Sequence, residues 1–278
     1  MAQKKGADGG GEQPNSKKEI GTIEERARLQ APVIYGIVRH EGQSELERPV
    51  FSLWWSGLAA GLSISFSLLT QALFYVHLPD TQWRPLLVSI GYPVGFLMVV
   101  LARQQLFTES TLTAVLPFLA EFNLRNFALL ARLWAVVLVA NIAGTLFAAA
   151  FCTFVPVIAP DMHAAMLDIS AKAMSYPWWP MLLRGISAGF LIAAMVWLIP
   201  SAEGTQFHIV FVMTYLVGLG NFAHIIAGSM ESFMLLFSAR MGIVQLLWSF
   251  MLPVLIGNVI GGTALFALIS YAQVVKEM

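Results

Sequence analysis

The sequence predicts an all-α polytopic membrane protein with six transmembrane helices, and three observations support this fold class. The chain of 278 residues is 58% hydrophobic and 12% charged, whereas a soluble domain carries about 25% charged residues. Its apolar residues form six long runs. Two of these runs contain polar residues near their middle, and unwound backbone at membrane depth persists only where it faces protein or a water-filled cavity. The two interrupted runs therefore mark the region where we expect the function to lie.

Four of the predicted spans are continuous and two are interrupted. The continuous spans are Phe51–Leu78, Phe127–Val157, Met181–Ile199 and Ile243–Val274. The interrupted spans are Leu86–Leu119 and Phe207–Ala239. As a straight helix, each interrupted span would be about 50 Å long, which exceeds the hydrocarbon core of about 30 Å. We therefore expect both spans to bend or unwind.

The two interruptions differ in composition. The first is strongly polar and consists of Arg103-Gln104-Gln105 and then Thr108-Glu109-Ser110-Thr111. The second is richer in glycine and consists of Gly218, Gly220-Asn221 and His224, and then Gly228-Ser229 and Glu231. Broken spans in matching positions of two halves are the best sequence indication of a transport site.

The two halves of the chain resemble each other. Gly57-Leu-Ala-Ala-Gly61 matches Gly185-Ile-Ser-Ala-Gly189, and the segment that begins at Asn141 matches the one that begins at Asn258. Because each half has three spans, the second must cross the membrane in the opposite sense. We therefore predict two inverted three-helix repeats, at about 51–157 and 181–274, in a channel domain of residues 49–275. The architecture is aquaporin-like, although the sequence lacks the Asn-Pro-Ala repeats of water and glycerol channels.

Residues 1–48 are predicted to form a cytoplasmic N-terminal tail. Residues 1–18 are expected to be disordered, and an apolar stripe from Glu19 to Glu47 predicts an amphipathic helix that Pro32 divides. This helix is expected to pack on the membrane face of the protein; the alternatives are a gate plug and a docking site for a cytoplasmic partner. The tail lacks the apolar segment of a signal peptide, so the first span is expected to direct insertion. Twelve of the 16 basic residues lie on one side if the N-terminus is cytoplasmic, which predicts that both termini are cytoplasmic.

Composition and motifs argue against several function classes. The net charge is zero, which gives no support for nucleic-acid binding. The single cysteine, Cys152, excludes an internal disulfide and is expected to be an inert buried thiol. The sequence contains no P-loop, no catalytic serine or zinc motif and no cysteine cluster. We therefore expect neither enzyme activity, nor a cofactor, nor a bound metal.

His224 is the strongest candidate for a functional side chain. It lies in mid-span between Gly220 and Gly228. An imidazole at this depth needs partners, and its charge changes near physiological pH. The alternative is a structural histidine bonded to a carbonyl. Glu231 follows on nearly the same helical face, where it is expected to relay protons to His224 or to pair across a subunit boundary.

The first interruption supplies further candidates. Arg103 is expected to attract anions, with an ion pair to Glu109 or snorkelling to the interface as alternatives. Glu109 alternatively accepts hydrogen bonds from backbone N–H groups. Leu106 and Phe107 are candidates for an apolar constriction that gates by dewetting, with ordinary packing as the alternative.

Three residues are expected to support the site from a distance. Asn141 and Asn258 are expected to hydrogen-bond to the unwound backbone of the broken spans, because a buried amide must find partners. Lys172 either draws anions toward the outer mouth or is a solvated loop charge.

Together these features resemble the formate/nitrite transporter family. Leu106-Phe107-Thr108-Glu109 resembles the family's loop motif in the broken second span. Phe222-Ala-His224 resembles the broken fifth span with its central histidine. The two segments that combine Asn with Gly and Thr resemble the third and sixth spans. The resemblance covers the chain from about Phe51 to its end.

The resemblance implies a homopentamer in the bilayer, in which each subunit has its own pore for small monovalent anions such as formate, nitrite or hydrosulfide. It also implies that Thr108 and His224 face each other near the pore centre. Phe96 would then lie near the inner constriction and Val217 near the outer one, with Phe222 in the pore motif.

Three positions depart from the family pattern. Arg103-Gln104-Gln105 stands where small or acidic residues are usual, and Gly189 and Gly228 stand where asparagine is common. These departures are expected to affect the substrate more than the fold.

The resulting hypothesis is a channel or proton-linked transporter of the bacterial inner membrane for anions of weak acids. Desolvating a charge in an apolar ring costs several kcal/mol. An anion that takes a proton from or through His224 crosses the ring as a neutral acid and loses the proton beyond it. The alternatives are a channel for small neutral solutes and a membrane docking or sensing protein that does not conduct.

Overall fold

The computed structural model describes residues 29–277, which form helices and contain no β-strand. The all-α prediction is thus confirmed for this part of the chain. The predictions for residues 1–28 lie outside the described residues. Ten helices are present in the described part: α1 Ala31–Glu47, α2 Val50–His77, α3 Arg84–Leu101, α4 Phe107–Ala120, α5 Leu124–Phe154, α6 Pro160–Ala173, α7 Trp178–Ser201, α8 Gln206–Leu219, α9 Ile225–Phe237 and α10 Ile243–Val274.

Five of these helices are long and apolar enough to cross a membrane, namely α2, α3, α5, α7 and α10. The shorter apolar helices α4, α8 and α9 account for the two interrupted spans. The first interrupted span consists of α3 and α4, and the second consists of α8 and α9. Both predicted interruptions are present, but they are narrower than predicted. The helix resumes at Phe107 and at Ile225, so the polar residues that follow lie on helices rather than in loops.

The two breaks have the same backbone geometry. At the end of α3, Arg103 has a φ of 53° and the Gln104 amide donates to the Val99 carbonyl. At the end of α8, Asn221 has a φ of 49° and the Phe222 amide donates to the Val217 carbonyl. This pattern is a Schellman motif, which ends a helix through one left-handed residue. Asparagine tolerates that conformation more readily than arginine does, so the left-handed conformation of Arg103 has no obvious local sequence signal, although the polar residues predicted the break itself.

Close approach of helix backbones holds the long helices together. A Cβ atom added to Gly61 on α2 would lie 2.9 Å from the Gly144 Cα atom on α5. A Cβ atom added to Gly189 on α7 would lie 2.8 Å from the Asn258 Cα atom on α10. The glycines of α2 and α7 therefore allow α5 and α10 to approach closely, as small residues do in membrane helix pairs. Because α5 carries Asn141 and α10 carries Asn258, this close approach places both asparagines beside the breaks.

Two features of the fold differ from the prediction. The segment between the halves was expected to be a loop but contains α6, which packs against α2 and α9. Helix α10 was predicted only as one continuous span, whereas it also contains π-helical turns at Leu246–Met251 and Ile260–Ala267. The first π-turn precedes Pro253, whose ring would clash with the Ser249 carbonyl in a regular α-helix, which gives a physical reason for the wider turn.

Candidate functional site

Asn141 holds the first break in place. Its side chain is fully buried, and its Oδ1 atom accepts a hydrogen bond from the Phe107 amide at 2.9 Å. Its Nδ2 atom donates to the carbonyls of Gly57 and Gln105 at 2.7 and 2.9 Å. One amide side chain thus joins the end of the break, at Gln105 and Phe107, to the backbone of α2.

Asn258 makes the corresponding bonds at the second break. Its Oδ1 atom accepts from the Ile225 amide at 2.8 Å. Its Nδ2 atom donates to the carbonyls of Gly185 and Ala223 at 2.9 and 2.8 Å. The contacts expected of both asparagines are therefore present, and both bind unwound backbone directly.

His224 is the N-cap residue of α9. Its Nδ1 atom accepts a hydrogen bond from the Ala227 amide at 3.1 Å, so Nδ1 carries no proton in this arrangement. A neutral ring then carries its proton on Nε2, which lies 2.7 Å from the Thr108 Oγ1 atom. The ring therefore donates to the Thr108 hydroxyl. The hydroxyl hydrogen of Thr108 remains available for another acceptor.

His224 lines a cavity of about 280 Å³, which we call the His224 cavity, and Thr108 is fully buried beside the ring. Its wall includes five of the residues singled out in the sequence: Val217, Phe222, His224, Glu231 and Lys172. Lys172 makes no ion pair within 4.0 Å among residues 29–277, whereas the neighbouring Arg84 and Asp168 are paired with Asp80 and Arg240. Lys172 is thus a cation at the wall of the cavity without an ion-pair partner among these residues.

A second cavity of about 550 Å³ lies beside α1, and we call it the α1 cavity. Its wall includes Arg103 and Glu109. Arg103 forms an ion pair with Glu41 at 2.8 Å rather than with Glu109. The Oε1 atom of Glu109 is buried and has no hydrogen-bond partner within the described residues, so the expected bonds to backbone amides do not form at this oxygen.

A buried layer separates the two cavities. On α3, Tyr92 lines the His224 cavity and Val100 lines the α1 cavity. Phe96 lies between them on the same helical face, because residues four apart share a face. Its ring is fully buried and meets the His224 ring edge-on, with centroids 4.9 Å apart. Phe96, Thr108 and His224 thus meet between the two cavities.

The loop residues Leu106 and Phe107 are also buried, but they line neither cavity. The Phe107 ring packs edge-on against Trp134 on α5, with centroids 5.8 Å apart. Their role as a constriction stays a prediction.

Several residues near the site were not predicted from the sequence. Tyr92, Phe250 and Gln71 line the His224 cavity, and Glu45 and Thr113 line the α1 cavity. The carboxylate of Glu45 accepts hydrogen bonds from Thr113 Oγ1 at 2.6 Å and from Gln105 Nε2 at 3.1 Å. A carboxylate on the inner face of an amphipathic helix was the available signal for Glu45. Phe250 is one of many apolar residues on α10, and its sequence context carries no comparable signal.

A family model described as formate/nitrite transporter matches residues 32–272. The sequence is 40% identical to the inner membrane protein YfdC of Escherichia coli (strain K12). The alignment of 267 residues covers 96% of this chain and 86% of that protein. It is 27% identical over 206 residues to the formate channel FocA of Haemophilus influenzae, covering 71% of this chain and 68% of that protein.

Two solved structures share the fold. One is described as a pentameric formate channel with formate bound, with a TM-score of 0.70, 18% identity and coverage of 82% of this chain and 98% of that one. The other is described as an FNT family ion channel, with a TM-score of 0.71, 16% identity and coverage of 87% and 98%. The family model spans most of the chain, and the chain therefore belongs to the formate/nitrite transporter family.

Proposed function

We propose that this chain forms a channel for small anions of weak acids in a bacterial inner membrane, with Thr108 and His224 at its centre. The observation that carries the proposal is the 2.7 Å hydrogen bond between these two side chains, at a buried position between two cavities. The family assignment supports an anion as the substrate. The names of an inner membrane protein and a formate channel among the relatives support the location and the substrate class.

For the architecture, we propose six spans in two inverted repeats with both termini cytoplasmic. The matching bonds of Asn141 and Asn258 to the two breaks support the repeat, as do the two Schellman motifs. We also propose a homopentamer, because one structural neighbour is described as pentameric.

For the entry of the substrate, we propose that Lys172 attracts the anion into the His224 cavity. An ammonium group without an ion-pair partner raises the local concentration of anions. At the buried end of the cavity, the Thr108 hydroxyl donates a hydrogen bond to the anion, because Thr108 already accepts one from His224. Phe96 then opposes further movement of a charged species, since burying an unpaired ion costs several kcal/mol.

For proton transfer, we propose a relay through the same pair. Nδ1 of His224 first takes a proton from a hydronium ion in the cavity, which leaves water and costs the bond to the Ala227 amide. Nε2 then passes its proton to Thr108 Oγ1 while the Thr108 hydroxyl passes its own proton to the anion. The products are a neutral imidazole with its proton on Nδ1 and a neutral acid, which crosses the apolar layer and ionises beyond it. The ring returns to its starting form when Nε2 regains a proton through Thr108 and Nδ1 releases its own to water.

The test is a flux measurement in proteoliposomes with formate, nitrite and chloride at two pH values. Chloride, the anion of a strong acid, is expected to move at least about tenfold more slowly, since 1.4 kcal/mol of barrier corresponds to a factor of ten. His224→Asn keeps a side-chain acceptor for the Ala227 amide but does not titrate, so it is expected to lower formate flux without unfolding α9. Equal fluxes of all three anions, unchanged in the variant, would falsify the relay.

The neutral character of the central ring also favours a second candidate, a channel for small uncharged solutes. Swelling of the same proteoliposomes in glycerol or urea separates the two functions. Rapid swelling without formate flux would support the neutral-solute channel.

A further inference from the structure

Phe250 lies beside the path that the proposed function assigns to the substrate. It belongs to the π-helical turn Leu246–Met251 of α10. In that turn, Leu247 and Trp248 are 52% and 62% exposed, whereas Phe250 is 2% exposed. The wide turn thus directs the Phe250 ring inward, and this ring lines the His224 cavity.

The tip of the ring rests on the backbone of Gly228. A Cβ atom added to Gly228 would lie 2.8 Å from the Phe250 Cε2 atom and closer still to Cζ. Real Cβ atoms do not approach other atoms so closely, so the ring occupies the space that a side chain at position 228 would fill. The Phe250 ring can therefore take this position only because residue 228 has no side chain.

This arrangement lies one helical turn from His224. Gly228 follows His224 by four residues, so the two share a face of α9, and both line the same cavity. Met174 closes another side of the same space, with its Cε atom 3.6 Å from the added Cβ position. On this side, the ring cannot move closer to α9 without displacing the Gly228 backbone, because the contact is already close-packed.

We propose that Phe250 is a specificity-determining residue, which limits the length of the anion that reaches Thr108 and His224. This inference rests on the proposed function. In this proposal, a carboxylate with no alkyl chain or a very short one passes the ring on its way through the His224 cavity, which Phe250, Gly228 and His224 all line. An anion with a longer alkyl chain meets the ring edge and the Gly228 backbone.

The test compares formate with propionate flux in proteoliposomes of the full chain. Phe250→Ala is expected to raise the propionate-to-formate ratio by about tenfold or more, since a pocket discriminates one methylene by about 10–200-fold. Phe250→Leu is expected to give an intermediate ratio. Trp248→Ala is the matched control, because it deletes an aromatic ring of the same turn that faces outward.

A second variant protects the test against loss of folding. Gly228→Ala places a methyl group where the ring lies, so it is expected to lower formate flux strongly. Gly228→Ala combined with Phe250→Leu is expected to recover formate flux, because the shorter side chain vacates that space.

The outcomes separate this inference from the proposed function. If the unsubstituted channel carries no formate, the proposed function fails and this inference fails with it. If it carries formate and the ratio in Phe250→Ala equals that in Trp248→Ala, only the assignment of Phe250 is overturned.

Discussion

At the scale of single residues, the two asparagines explain how a broken helix is tolerated in an apolar environment. A break leaves backbone amides and carbonyls without helical partners, and each such group is costly when buried. Asn141 and Asn258 are each fully buried, and each makes three hydrogen bonds with backbone groups. These partners could be predicted from the sequence, because an amide in mid-span requires them and the breaks supply them.

Replacing Asn258 is expected to destabilise the protein. Asn258→Ala leaves the Ile225 amide and the Ala223 carbonyl without this partner, at about 1–3 kcal/mol for each buried group. For a chain of this size, the melting temperature should fall by roughly 5–15 °C, as measured by the loss of the folded peak in size-exclusion chromatography after heating. Gln245→Ala, at an exposed amide on the same helix, is the control. An equal melting temperature in both variants would contradict the proposed contribution of the Asn258 hydrogen bonds to stability.

The orientation of the His224–Thr108 bond leads to a separate prediction. Because Nε2 donates to Thr108, only the Thr108 hydroxyl is left to donate to the anion. Thr108→Val keeps the shape and removes this donor, so formate flux is expected to fall by about tenfold or more, as expected for loss of a hydrogen bond to a charged group. Thr108→Ser keeps the hydroxyl and is expected to retain most of the flux. Similar losses in both variants would show that the methyl group matters rather than the hydroxyl.

At the scale of elements, α1 is attached to the first break by polar contacts. Glu45 accepts hydrogen bonds from Gln105 and Thr113, and Glu41 pairs with Arg103. The apolar stripe predicted that α1 packs on the protein, but it did not predict these contacts, because a hydrophobic pattern carries no information about polar partners at distant positions.

The docking of α1 is expected to weaken as the pH rises. Burial raises the pKa of the Glu45 carboxyl above its usual value, although the hydrogen bonds from Thr113 and Gln105 oppose the shift. The docked carboxyl therefore binds its proton more tightly than an undocked one, so docking is strongest below the usual pKa and weakens as the pH rises from there through the raised pKa. Hydrogen exchange of the α1 amides at pH 5 and pH 8, corrected for intrinsic exchange rates, measures how the docking of α1 changes with pH.

Two substitutions on α1 isolate the contribution of Glu45. Glu45→Gln does not titrate, so the protection of α1 is expected to be the same at both pH values. Glu47→Gln changes an exposed carboxylate on the same helix and should behave like the unsubstituted protein. Constant protection of the unsubstituted protein between pH 5 and pH 8 would exclude this role of Glu45.

Helix α6 shows why a local pattern can be overlooked. It begins at Pro160 with Asp161 in its first turn and carries Lys172 in its last turn, which are ordinary signals for the ends of a helix. These signals are present in the sequence, but the segment is less apolar than the spans around it. The π-turn before Pro253 could be predicted only in part. The proline predicts a distortion of the helix, but it does not determine which side chain points inward.

At the scale of the whole molecule, the sequence predicted the helical class and the two breaks, whereas the cavities required the folded chain. The repeated glycine and asparagine segments indicated which elements correspond. They did not indicate that Phe96 lies against His224, because that contact joins helices about 130 residues apart in the chain. Volume between helices depends on side-chain packing across several elements at once.

The centre of the proposed path joins two parts of one chain, which leads to a prediction for the assembly. Thr108 and His224, which form the central hydrogen bond, belong to the same subunit. If five subunits assemble as proposed, each conducts by itself. Native mass spectrometry is then expected to give five times the mass of the chain. In pentamers that mix unsubstituted and His224→Asn subunits, formate flux is expected to fall in proportion to the fraction of variant subunits. A steeper fall, with one variant subunit silencing a pentamer, would place the path between subunits instead.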